Sequence, residues 1–87
     1  DYRELLQKEK PEIVINATPD HWHALIAIDA MNAGAHVYLE KPISHTVNEG
    51  KAIVAAARRN NRVCIVGFHR RYSPHNVSGR DFIRSGK

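Results

Sequence analysis

At 87 residues the chain holds one domain or part of one, since independent domains commonly run to about 100–150 residues, and a multidomain enzyme is excluded for these residues. Its 43% hydrophobic and 25% charged residues, with only five Gly and four Pro, exclude a disordered or linker segment. The net charge of +4 gathers late, in Arg58, Arg59, Arg62, Arg70, Arg71, Arg80, Arg84 and Lys87, but no zinc-finger, homeodomain or RNA-binding aromatic signature accompanies it, so a solvated basic face and no nucleic-acid partner are expected.

Asp1–Lys10 reads as the last turns of an amphipathic helix without a cap of its own, stopped by Pro11. Glu12–Ala17 follows as a β-branched run, apolar on both faces in its middle, which suits a parallel strand buried on both sides. Thr18-Pro19-Asp20 breaks it. Asp20 is placed to accept the first free amides of a helix starting near His21, in which Trp22, Leu25, Ile26, Ala30 and Ala33 share one face until Gly34 ends it. Ala35–Leu39 makes a second strand, ended at Glu40-Lys41-Pro42 because proline has no donor for the ladder. Thr46-Val47-Asn48-Glu49 is a capping box opening a helix whose buried stripe is Ile53, Val54 and Ala57. That helix closes at Arg58-Arg59-Asn60-Asn61, where cations meet the negative helix end. Arg62–Val66 makes a third strand halted by Gly67, with Cys64 in mid-strand as an inert packing group. Ser73-Pro74 then matches an N-cap followed by proline at the first helical position, and the last helix runs through Ile83 to Gly86.

Strand, helix, strand, helix, strand is two βαβ units in series, so the three strands are expected to lie side by side in a parallel sheet of the doubly wound α/β class. The chain starts inside a helix and ends just after one, as a fragment of a longer domain would. A lone cysteine without CxxC or finger spacing suits a reducing, cytoplasmic setting. No apolar stretch approaches the roughly 20 residues of a membrane helix, so no membrane partner is expected.

Open parallel sheets bind ligands at the carboxyl ends of their strands, where loops and helix N-termini converge. The entry loops are bland: Lys10-Pro11, Ala33-Gly34 and Asn60-Asn61. The exit loops carry Thr18-Pro19-Asp20-His21-Trp22-His23, Glu40-Lys41-Pro42 and Gly67-Phe68-His69-Arg70-Arg71-Tyr72. His21 and His23 are two apart and point differently on a helix, so no metal site is expected. Trp22 is either a packing residue or an aromatic wall for a flat ring. Lys41, held between Glu40 and Pro42 at a strand exit, is a candidate for a fixed, partly desolvated ammonium.

These three exit motifs, taken in order with Ala33-Gly34-Ala35-His36-Val37-Tyr38-Leu39 leading into Glu40-Lys41-Pro42, resemble the Gfo/Idh/MocA family of NAD(P)-dependent oxidoreductases, named for glucose-fructose oxidoreductase and inositol dehydrogenase. The resemblance runs the length of the chain, with one departure: His69 stands where an asparagine is common. It implies that residues 1–87 are the second half of a Rossmann NAD(P)-binding domain, with the substrate domain absent and expected beyond Lys87. It further implies that Thr18, Pro19, Asp20, His21, Trp22 and His23 line the nicotinamide ribose and ring, that Glu40 and Lys41 lie beside the nicotinamide, and that His69 replaces the cofactor-contacting asparagine. Lys41 would be the catalytic lysine, bonded to the reacting hydroxyl of a sugar or polyol while a hydride passes to or from NAD or NADP. No G-x-G-x-x-G occurs in the chain, so this fragment alone is expected to be inactive; for the complete parent a homo-oligomer is expected. An NAD-dependent glycosidase of the same family and a non-catalytic nucleotide-binding module stand as the alternatives.

Overall fold

The computed structural model describes residues 1–87 in the order α1 (Tyr2–Glu9), β1 (Ile13–Asn16), α2 (Asp20–Asn32), β2 (His36–Glu40), α3 (Val47–Asn60), β3 (Cys64–Gly67), a 3-10 turn (His69–Tyr72) and α4 (Pro74–Arg84). The strands form one parallel sheet in the order β1-β2-β3, with Ile15 opposite Tyr38 and Tyr38 opposite Ile65. Three parallel strands with flanking helices is the architecture expected from the sequence.

Right-handed crossovers that step the same way along a sheet set their helices on the same face. Val37 and Leu39 of β2 accordingly share one buried cluster with Ala27 and Met31 of α2 and with Ile53 and Ala56 of α3. The opposite face is open. Ile13, Ile15 and Ile65 are more than half exposed on it, with Tyr38 between them. The expectation that β1 is buried on both faces is therefore corrected: within this chain both crossover helices lie on one side and nothing covers the other. At the strand ends Tyr38 lies across Gly67, where a Cβ would fall 2.5 Å from the phenol oxygen, so β3 ends in the residue that permits this close approach.

The inner face of α2 also differs from the predicted stripe. His23, Ala24, Ala27, Ala30 and Met31 are buried, whereas Trp22 and Leu25 are 45% and 40% exposed. Helix α2 is apolar almost all round, so periodicity does not choose its face. Size chooses it, because alanines let α2 approach α3 and the sheet closely. For the same reason Ala56, and not Val54, joins Ile53 in the core from α3.

The capping box at Thr46 and Glu49 forms with both reciprocal bonds, and α3 closes at Asn61 in the left-handed conformation at φ 51°. Three other ends depart from expectation. Helix α1 does carry a cap, Asp1, whose carboxylate accepts from the Arg3 amide. Asp20 is the first residue inside α2 and Pro19 is the cap, so the Asp20 carboxylate is free to face outward. Ser73 precedes Pro74, but its hydroxyl donates to the Arg70 carbonyl at 3.0 Å and accepts from the Asn76 side-chain amide at 2.8 Å instead of capping an α4 backbone amide. Helix α4 packs against the 3-10 turn and projects from the body, and the whole chain with it measures 54 × 25 × 25 Å.

Candidate functional site

The three strand exits lie on one edge of the sheet, and hydrogen bonds tie the first two together. Asn16, the last residue of β1, is 2% exposed. Its amide donates to the His23 carbonyl at 3.3 Å, and its Oδ1 accepts from the Thr18 hydroxyl at 2.7 Å and the Thr18 N–H at 3.3 Å. An amide in an otherwise apolar strand thus fastens the β1 exit to the first turn of α2.

His23 extends this fastening to the next strand. Its ring is 1% exposed, with Nε2 2.8 Å from the Thr18 carbonyl and Nδ1 2.6 Å from the Pro42 carbonyl. Both partners are acceptors, so a neutral ring donates to one of them and a doubly protonated ring to both. With its nitrogens so engaged, His23 meets the site through the loops it joins and not through its ring.

Asp20, His21 and Trp22 stay on the outside of α2. The Asp20 carboxylate reaches His45 at 3.6 Å and His21 at 4.0 Å, and the His21 and Trp22 rings sit 5.7 Å apart with a 46° tilt. His21 and His23 therefore face opposite environments, one solvent and one core. Trp22, open on the first turn, is not a core residue of this chain.

Glu40 ends β2, and its carboxylate accepts from the Lys41 amide at 3.3 Å. The Lys41–Pro42 peptide is cis. Lys41 is exposed, which corrects the expectation of partial desolvation: it lies one residue past the sheet edge, where no element of the chain covers it. Its ammonium belongs to none of the chain's ion pairs. Together with Pro42 from β2's exit and Phe68, His69, Arg70 and Arg71 from β3's exit, Lys41 lines an open cavity of about 570 Å³. The fold thus brings Lys41 and His69 to one cavity, with Glu40 adjoining, and leaves Thr18–His23 beside it as a separate wall.

Phe68, Asn16 and His45 complete this region without having been singled out from the sequence. For Asn16 a signal was present: a carboxamide ending the run Ile13-Val14-Ile15 has to find buried partners. Behind the site, partial burial pushes the Cys64 thiol above its ordinary range, as expected of a packing group and not of a nucleophile. No helix of the chain is long and apolar enough to cross a membrane.

A family described as an oxidoreductase family with an NAD-binding Rossmann fold, GFO_IDH_MocA, matches residues 1–68. The chain belongs to this family. Among curated relatives of this Gfo/Idh/MocA chain, levoglucosan dehydrogenase of Pseudarthrobacter phenanthrenivorans is 37% identical over 86 residues, covering 99% of the chain and 22% of the relative. Alpha-N-acetylgalactosaminidase of Shewanella oneidensis is 36% identical over 85 residues, covering 98% of the chain and 18% of the relative. Among solved structures, myo-inositol 2-dehydrogenase from Lactobacillus plantarum superposes with a TM-score of 0.89 at 26% identity, covering 99% of this chain and 26% of that one. An oxidoreductase domain protein from Kribbella flavida superposes at 0.84 with 39% identity, covering 100% and 23%. The chain spans about a fifth of the length of the curated relatives it matches.

Proposed function

We propose that residues 1–87 are the second half of the dinucleotide-binding domain of an NAD(P)-dependent oxidoreductase that acts on a hydroxyl-bearing carbon of a sugar or polyol, with Lys41 as its catalytic lysine. The observation that carries this is the placement of Lys41: an unpaired ammonium at the exit of the middle strand, on a cavity large enough for a small ring and a sugar. The similarity to levoglucosan dehydrogenase supports the substrate class.

The residues present suit the nicotinamide end of a dinucleotide. The cleft offers the Phe68 ring as an apolar surface and several N–H donors, whereas the chain has no glycine-rich turn to hold a pyrophosphate. Thr18, Pro19, Asp20, His21 and Trp22 would hold the nicotinamide ribose and ring, with His23 setting that wall against the Pro42 loop, Glu40 beside the ring and His69 in the place of an asparagine. A bound nicotinamide supplies the hydride chemistry. Lys41 would donate a hydrogen bond to the substrate hydroxyl oxygen, stabilise the negative charge growing there as its proton passes to a base of the substrate domain and the hydride leaves its carbon for the nicotinamide, and then hold the carbonyl oxygen that results. The complete enzyme is a homo-oligomer whose substrate domain lies outside these residues.

The test is Lys41→Ala in the enzyme that carries this chain, with reduced nicotinamide followed in single turnovers on levoglucosan and myo-inositol. A fall of about 10²–10⁴ in the hydride-transfer step, with dinucleotide affinity kept, is expected; a rate close to that of the unmodified enzyme sinks the assignment. The similarity to an alpha-N-acetylgalactosaminidase favours one further reading, a glycosidase that oxidises and re-reduces its substrate. Release of the leaving alcohol from an aryl α-N-acetylgalactosaminide without net change in reduced nicotinamide identifies that outcome.

A further inference from the structure

The strand-exit rim carries more positive charge than a neutral sugar calls for. Of the six residues around the Lys41 cavity, Lys41, Arg70 and Arg71 carry a positive charge and none is acidic. Arg70 and Arg71 also line a second cavity of about 420 Å³ with Asn76, Arg80 and Arg84, so the paired arginines border two neighbouring hollows of the same basic surface. Two carboxylates stand near these hollows: Asp81 is taken by Arg80 at 2.8 Å, and Glu40, which adjoins the Lys41 cavity without lining it, accepts from the Lys41 amide at 3.3 Å. Lys41, Arg70, Arg71 and Arg84 take part in no ion pair.

Two contacts hold the centre of this surface in shape. The Arg71 guanidinium sits 5.5 Å from the centre of the Phe68 ring, a cation–π arrangement that fixes its plane. The Arg70 carbonyl accepts from the Ser73 hydroxyl at 3.0 Å and the Asn76 amide at 2.9 Å, which pins the 3-10 turn to the start of α4. Cations on a convex surface spread and hydrate separately; around a hollow they add their fields and repel one another unless an anion enters.

Hydrogen-bonding chemistry narrows the ligand further. A neutral sugar hydroxyl both donates and accepts, and a site for it normally mixes carboxylates or amides with its donors. Lys and Arg side chains only donate. A wall of such groups matches a ligand group that only accepts, a carboxylate or a phosphate, and arginine binds either of them bidentately.

We propose that this surface binds an anionic group, carboxylate or phosphate, carried by the sugar substrate, through Arg70 and Arg71, while Lys41 meets the reacting hydroxyl. The proposal rests on the reading of Lys41 given above and adds the charge of the substrate to it.

The test titrates the protein with glucuronate, glucose 6-phosphate, glucose and inorganic phosphate, and follows the arginine side-chain N–H signals by NMR. At least one acidic sugar is expected to bind about tenfold or more tightly than glucose and than inorganic phosphate, the scale of one charge-assisted hydrogen bond, and to weaken with added salt. The tighter of the two acidic sugars says whether carboxylate or phosphate is preferred. Arg70→Gln with Arg71→Gln should bring the acidic sugars down to the affinity that glucose has for the same double variant. Equal affinity for acidic and neutral sugars, or a preference that survives the double change, overturns the proposal. So does a double variant that loses dinucleotide affinity and keeps glucuronate affinity, because the charge would then serve the cofactor. Binding is read without turnover, so an acid-selective protein that transfers no hydride would refute the role of Lys41 and leave the anion site standing; equal kcat/KM for glucose and for both acidic sugars would do the reverse.

Discussion

His23 shows how one side chain sets the geometry of a site without entering it. Its imidazole spans two backbone carbonyls on successive strand exits, Thr18 and Pro42, from a position 1% exposed. Removing it takes the ring from between two part-buried carbonyls and leaves a cavity where a fully buried side chain stood, so His23→Ala is expected to cost about 2–4 kcal/mol in urea unfolding, well beyond the effect of His21→Ala on the exposed side of the same turn. The two thus separate a structural histidine from a surface one within a single H-x-H pair. Lone titratable groups elsewhere set an alkaline limit. Partial burial holds the Cys64 thiol above its ordinary range; partial burial, then the hydrogen bond to Asp29, does the same for the Tyr2 phenol. Both groups bind their protons more tightly in the folded state, so their contribution is complete below the unfolded values and is lost as pH rises towards the folded ones. The melting temperature is therefore expected to hold near neutrality and to fall above about pH 9, the ordinary thiol value, with a shallower fall in Cys64→Ala. Loss beginning on the acid side of neutrality would contradict this account of the two groups.

At the scale of elements, local signals decided most ends. The Thr46 and Glu49 capping box, the left-handed Asn61 and the positive φ of Gly34 and Gly86 all stand where the sequence places a helix boundary. Such devices act through backbone groups a few residues away, so neighbours in sequence suffice to specify them. Thr46→Ala is expected to lower stability by about 1 kcal/mol, and Glu49→Ala by a comparable or smaller amount, since each removes one half of the box; equilibrium unfolding of the two variants checks this. Helix α2 is the counter-example. Its outward Trp22 and Leu25 and its inward Ala24, Ala27 and Ala30 are all apolar, and only the close packing of α2 on α3 and the sheet selects the small residues for the inside. Of the candidate site, Glu40, Lys41 and His69 were legible because they follow strands directly and their motifs are compact. The meeting of these exit loops on one rim was legible too, but the open cavity that Lys41 shares with Phe68, Arg70 and Arg71 was not, because its shape depends on how loops almost thirty residues apart pack.

For the whole molecule the open sheet face matters most. Ile15, Tyr38 and Ile65 lie side by side across the three strands, and only 13 of the 87 residues are buried, too few for a core of ordinary stability. Residues 1–87 on their own are therefore expected to self-associate, with sedimentation showing mass that grows with concentration and with Ile15→Lys plus Ile65→Lys suppressing it. A chain that stays monomeric at every concentration tested, with its face unaltered, would count against this surface being adhesive. The order of strands and helices, their parallel pairing and the family to which the chain belongs followed from the sequence alone, because βαβ units are specified by local propensity, turn residues and the handedness of short crossovers. The meeting of the exit loops that carry Lys41, Arg70 and Arg71 followed likewise from the parallel order; which face of the sheet is covered, which histidine is buried and the shape of the hollow between those loops were decided by tertiary structure, because each depends on how closely distant segments approach, and volume and shape are not written in periodicity.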